Sequence, residues 1–136
     1  SKEDKFILVK IYKSYLDNFD IYDKDQIIDL FKNIFIKIKS MYDLSGLFDV
    51  DIYVNDDYGM IIEISNLYFY KDECDVKIQV HLDSLFLCEI FNYEILDYED
   101  IYYYKDKFYG TYKETNDKEV IYKDVDKIMN DGIKIC

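Results

Sequence analysis

The chain has no arginine, no tryptophan, no proline, no alanine and a single histidine, His81. Without arginine there is no bidentate fork for phosphate, and all seventeen cations are lysines set against 29 acids. A net charge of -12 repels the phosphates that a nucleic-acid-binding protein must neutralise, which disfavours nucleic acid as a partner. An anionic membrane surface is disfavoured for the same reason. The uninterrupted apolar runs are only a few residues long, too short for a membrane span or a signal peptide.

Glycine is also scarce, four residues and all isolated, so no phosphate-cradling loop is present. There is no G-x-S-x-G, H-E-x-x-H or C-x-x-C, and no EF-hand spacing. The lone His81 cannot build a zinc site without Cys or carboxylate partners. It could serve Cys88 as a base, but Cys88 lies in a run that reads as core, which weighs against a catalytic dyad. The three cysteines, Cys74, Cys88 and Cys136, are an odd number with no close pair. That pattern suits reduced thiols in a cytoplasmic protein better than a disulfide framework. Nothing calls for a cofactor, and an enzyme is the weaker expectation.

What the chain has is acid and tyrosine, sixteen of the latter. Codon drift toward A and T accounts for much of the excess of Ile, Lys, Asn, Asp and Tyr and for the missing Ala, Arg and Pro. A hydrophobic content of 50% excludes a disordered tail. The length suits one globular domain, 1–136, with no visible linker or repeat.

Periodicity predicts the elements. Leu8, Ile11, Tyr12, Tyr15, Leu16 and Phe19 fall at helical spacing, favouring a first helix over residues 6–19, although Phe6 to Tyr12 also suits a buried strand. Ile27, Leu30, Phe31, Ile34, Phe35, Ile38, Met41 and Tyr42 form one apolar helical stripe. Asp23 is placed to cap it, with Gln26 three residues on as in a capping box, and Ser45-Gly46 to end it. The period then changes to two. Phe48, Val50, Ile52 and Val54 alternate with polar residues, Asn55 to Gly59 is turn chemistry, and Met60, Ile62 and Ile64 return. Cys74 to Leu82 and Leu85 to Phe91 read as further strands, and Ile101 to Tyr104 with Phe108 to Lys113 as a hairpin. Asp124 is placed to cap a short helix ending at Gly132. The expected fold is α+β: N-terminal helices on one face of an antiparallel sheet of about five to six strands, with a short C-terminal helix. A split βαβ arrangement stays open if the first segment is a strand.

The first hairpin fixes candidate site residues. Pairing core with core sets Val54 opposite Met60, Ile52 opposite Ile62 and Val50 opposite Ile64; a one-residue slip would bury Asp51. That register puts Asp51 directly opposite Glu63 on an outward face beside Asp49, with Asp56 and Asp57 in the turn. Facing like charges destabilise a strand pair by up to about 1 kcal/mol. Lys77 from a neighbouring strand, a divalent cation or a basic partner could offset them. Tyr102, Tyr104 and Tyr109, in a tyrosine-rich hairpin, are a second candidate contact. The expectation is an acidic protein-binding module of inhibitor, immunity or adaptor type, whose acidic face meets a protein with a basic surface. The alternatives are a carboxylate-based enzyme using a divalent cation, or a structural subunit of an assembly.

Overall fold

The computed structural model describes residues 6–42, 47–68, 75–91, 98–113 and 119–135. The chain divides into two compact units, Ser1–Asp83 and Ser84–Cys136.

In the first unit, β1 (Phe6–Tyr12) leads through a 3₁₀ turn (Lys13–Tyr15) to helix α1 (Lys24–Tyr42). Strands β2 (Leu47–Asn55), β3 (Gly59–Tyr68) and β4 (Asp75–His81) follow. The expected helix over 6–19 is therefore a strand and a single turn. Every residue of Phe6–Tyr12 except Lys10 is β-branched, aromatic or leucine, so the run satisfies a helical period by saturation, and strand preference decides. The four strands lie in the order β1-β3-β2-β4. β3 is antiparallel to both β1 and β2, whereas β4 runs parallel to β2. β1 and β2 are thus parallel strands joined through α1 with β3 between them, the split βαβ arrangement. Among the described residues the single antiparallel sheet is replaced by two sheets, of four and five strands, and one N-terminal α-helix stands where two were expected.

Ile27, Phe31, Phe35 and Ile38 of α1 pack on Phe48, Val50, Ile52, Val54, Met60, Ile62 and Ile64. The register agrees with the alternation: Val54 faces Met60, Ile52 faces Ile62 and Val50 faces Ile64. The start of α1 is built by side chains. Asp23 Oδ1 accepts the Asp25 and Gln26 amides at 3.0 and 3.4 Å, satisfying donors that the helix leaves unpaired. Gln26 reaches back to the Asp20 amide at 3.3 Å and to the Asp23 carboxylate at 3.1 Å. Met41 is exposed rather than core. Ser45-Gly46 and Cys74 lie outside the described residues.

In the second unit, β5 (Leu87–Ile90), β6 (Ile101–Tyr104), β7 (Lys107–Thr111), β8 (Val120–Ile121) and β9 (Ile133–Lys134) form an antiparallel sheet in the order β8-β5-β7-β6-β9. Helix α2 (Val125–Asp131) supplies Val125 and Ile128 to one face, against Leu87, Tyr102 and Tyr109. On the other face Tyr98 packs with Cys88, Ile90 and Ile101. Asp124 holds the N-cap position of α2 but makes no side-chain cap bond, because its backbone is left-handed at φ 57°. The β6–β7 turn is Lys105-Asp106, both at positive φ (47° and 65°), the arrangement of a type I′ hairpin turn without its usual Asn or Gly. No described helix is long and apolar enough to cross a membrane.

Candidate functional site

The parallel strands β1, β2 and β4 end on the same side of the first sheet. Tyr12 and Asn55 both pair with Gly59, and Tyr53 pairs with His81. The β2–β3 turn, the 3₁₀ turn and the residues after β4 therefore gather at one end. Asn55 shapes the turn: its Oδ1 accepts the amides of Asp57 and Tyr58, each at 2.9 Å. Asp56 and Asp57 project from the turn and are exposed, while Tyr58 is buried. The Lys13 amide donates to the Tyr58 carbonyl at 2.7 Å, which ties the end of β1 to the hairpin.

Three tyrosines surround this end. Tyr12, Tyr15 and Tyr22 are 49%, 78% and 53% exposed. The Tyr12 ring lies 5.3 Å from that of Tyr58. Tyr22 is oriented through its own amide, which donates to Asp20 Oδ1 at 2.9 Å. Its phenol is held above the ordinary tyrosine pKa by lost hydration, by a hydrogen bond to Asp56, and by the charges of Asp56, Asp83 and Asp20. Among the described residues Lys13 reaches the turn, with Nζ 3.6 Å from Asp56 Oδ1; both groups are solvated, so the pair is weak.

The face of the sheet away from α1 holds the other expected acids. Asp51 does face Glu63, and Asp49 faces Lys77 across the β2–β4 pair. Burial differs from expectation: Glu63 is only 8% exposed, and Asp49 and Asp51 are half-buried. Ile61, two residues before Glu63 on the same face of β3, is fully buried. Asp51 is engaged by His81, whose Nε2 lies 2.9 Å from Oδ1. A carboxylate only accepts, so Nε2 carries the proton. The imidazole also stacks on Tyr53 at 4.5 Å with an interplanar angle of 9°. The group that engages Asp51 is therefore a histidine, four residues beyond Lys77 along β4. Cys88 is fully buried in the second unit, which removes it as a nucleophile. Among the described residues, no group of three or more His, Cys, Asp or Glu side chains is placed to hold a metal ion.

Of the tyrosine hairpin, Tyr102 and Tyr109 are core residues beneath α2, and Tyr104 is half-buried against them. Tyr103, on the opposite face, donates to Asp106 at 2.9 Å. Among the described residues the exposed tyrosines are Tyr12, Tyr15 and Tyr22; the first two were obscured by the helical reading of residues 6–19. The signal for Tyr22 was its place in Asp20-Ile21-Tyr22-Asp23, an aromatic inside a run of acids just before a helix cap.

The chain matches no family model, no curated protein and no solved structure. Its chemistry therefore rests on this geometry. The strand-end surface offers aromatic rings and carboxylates to solvent, with the solvated Lys13 beside them.

Proposed function

We propose that the chain is an acidic protein-binding module of inhibitor, immunity or adaptor type, and that the strand-end surface of its first unit receives a partner with a basic surface. One observation carries this reading: Tyr12, Tyr15 and Tyr22 stand exposed together at the end of the sheet that also presents Asp20, Asp56, Asp57 and Asp83. Exposed tyrosine is a strong interface residue, because its ring contributes area at low entropic cost and its hydroxyl stays hydrated. A ring beside carboxylates suits a lysine or arginine side chain, which gains from both the π face and the charge. The overall charge of -12 adds long-range attraction that speeds encounter. Asp49, Asp51 and Glu63 contribute to that field, but the burial of Glu63 and the bond from His81 to Asp51 make them poorer direct contacts.

The test is partner capture with the wild-type chain, then titration of the purified partner against variants. Tyr15→Ala with Tyr22→Ala is expected to weaken binding by about 30-fold, the effect of losing a hot-spot aromatic. Asp56→Asn with Asp57→Asn is expected to slow association and flatten its salt dependence. Affinity indifferent to salt and to all four substitutions would sink the proposal.

A further inference from the structure

The edge of a sheet is an open row of backbone donors and acceptors that another strand can join. The two edges of the first sheet are β1 and β4, and they are guarded differently. β4 places Lys77, Gln79 and His81 on its outward face, a polar group at each position. β1 places Leu8, Lys10 and Tyr12 there, and Leu8 and Tyr12 are exposed. Its other face carries Ile7, Val9 and Ile11, which are only partly buried on the core. The strand is seven residues long, with one charge and no proline. On the side away from β3 no described strand accompanies it. Charges, prolines and bulges ordinarily protect an edge of this kind; β1 has Lys10 alone.

We infer that β1 is the docking edge, to which an extended segment of the basic partner adds as a fifth, antiparallel strand with its cationic residues at its own N-terminal end. The inference rests on the proposed reading of this unit as a receptor for a basic protein, and adds the mode of contact. Alternate apolar residues of the incoming strand would complete the burial of Ile7, Val9 and Ile11, while backbone hydrogen bonds supply affinity. Antiparallel pairing is the slightly more stable choice, and it fixes polarity. β1 runs toward the strand-end surface, so an antiparallel strand begins there, with its first residues beside Tyr12 and within reach of the acids of the β2–β3 turn. Cations at that end meet carboxylates; cations at the other end do not. Charge selects against a second copy of this chain as occupant, since it would bring -12 against -12.

The polarity gives the experiment. Two labelled peptides of one composition, Lys-Arg-Val-Thr-Val-Thr-Val and its reversal Val-Thr-Val-Thr-Val-Arg-Lys, are titrated with the full chain by fluorescence anisotropy. The peptide with its cations first is expected to bind at least about fivefold tighter, the worth of one or two solvated ion pairs. Val9→Pro and Lys10→Pro are made separately. Strand alternation turns only one of these two amides outward, so the variant that keeps the wild-type melting temperature is the edge variant, and it is expected to lose peptide binding. Equal binding of both peptides, or binding unaffected in the edge variant, overturns the inference. So does a concentration-dependent dimer in light scattering that the edge variant abolishes, because the edge is then occupied by a second copy. If neither peptide binds while Asp56→Asn with Asp57→Asn still weakens the captured partner, strand addition is wrong and the binding-module reading stands. If those acid substitutions are also silent, both fail.

Discussion

Gly59→Ala tests how the first unit builds its acidic end. Gly59 opens β3 at φ 118°, a conformation that L side chains rarely adopt. A methyl group there would run into the carbonyl oxygen of Ile11 and lie 2.8 Å from the Lys13 amide nitrogen. Both obstacles are backbone, so neither can swing aside as a side chain would. Forcing the residue to remain at this φ costs about 1–3 kcal/mol. The clash must be relieved as well, and moving β1 away strains the 2.7 Å bond from Lys13 to the Tyr58 carbonyl, worth a further ~1 kcal/mol. The expected loss is about 2–4 kcal/mol, a large part of the 5–15 kcal/mol typical of a folded chain. Urea unfolding followed by far-ultraviolet circular dichroism reads it as a lower midpoint at unchanged slope. Asp57→Ala, two residues earlier and without positive φ, is the control and is expected to stay within about 0.5 kcal/mol of wild type. A Gly59→Ala variant within 1 kcal/mol of the parent, on the scale expected for an ordinary surface change, would refute the close approach of β1 to this turn. The hairpin carrying Asp56 and Asp57 would then not be anchored as described.

Three further outcomes probe the second unit. Gly110→Ala places a methyl 2.6 Å from the Ile90 Cδ1 and Tyr98 Cδ1 atoms; overpacking is expected to cost about 1–3 kcal/mol, and Tyr98→Leu in the same chain should recover part of it in a double-mutant cycle. At the type I′ turn, Lys105→Asn and Lys105→Ala both lose the contact of Nζ with the Tyr104 ring at 5.2 Å, but only Asn suits the left-handed backbone, so the Asn variant is expected to be more stable than the Ala variant by ~0.5 kcal/mol in the same melting experiment. The Tyr103 phenol lies above its ordinary pKa, first because it donates to Asp106 and then because of that carboxylate's charge. A raised folded pKa means that the stabilisation is present below the unfolded value and is lost as pH rises through the folded one. Tyrosine-resolved NMR titration should show Tyr103 ionising late, and Asp106→Asn should return it toward the ordinary range.

The parts legible in the sequence were those with a single periodicity and one buried face. The β2–β3 register followed from alternation, because a slip of one residue exchanges Val50, Ile52 and Val54 for three polar or aromatic side chains on the core face. The α1 stripe and the Asp23 cap were legible for the same reason. Phe6–Tyr12 was not, since a run that is apolar at nearly every position fits both periods. Strand order was hidden as well. Whether β4 joins β2 in parallel or extends a meander depends on tertiary packing that local pattern does not encode. The burial of Glu63 was hidden as well: alternation assigns it to the face away from α1 but does not say how far that face is covered.

Several carboxylates are already engaged within the fold. Asp23 caps α1, Asp20 orients the Tyr22 amide, Asp51 accepts from His81, and Asp106 accepts from Tyr103 across its hairpin. Glu89 and Asp100 lie 3.5 and 3.6 Å from Lys107 and Lys134. These acids serve the fold or are balanced in place, so the charge of -12 overstates the surface available to a partner. At the strand ends the balance is different. Asp56 and Asp57 are exposed in a turn whose shape depends on Asn55 and Gly59, and the Lys13–Asp56 contact is solvated on both sides. An incoming cation therefore displaces little there, whereas at Asp51 it must first break a bond to a stacked imidazole. Selectivity for the strand ends follows from this difference in prior engagement more than from the number of acids at either place.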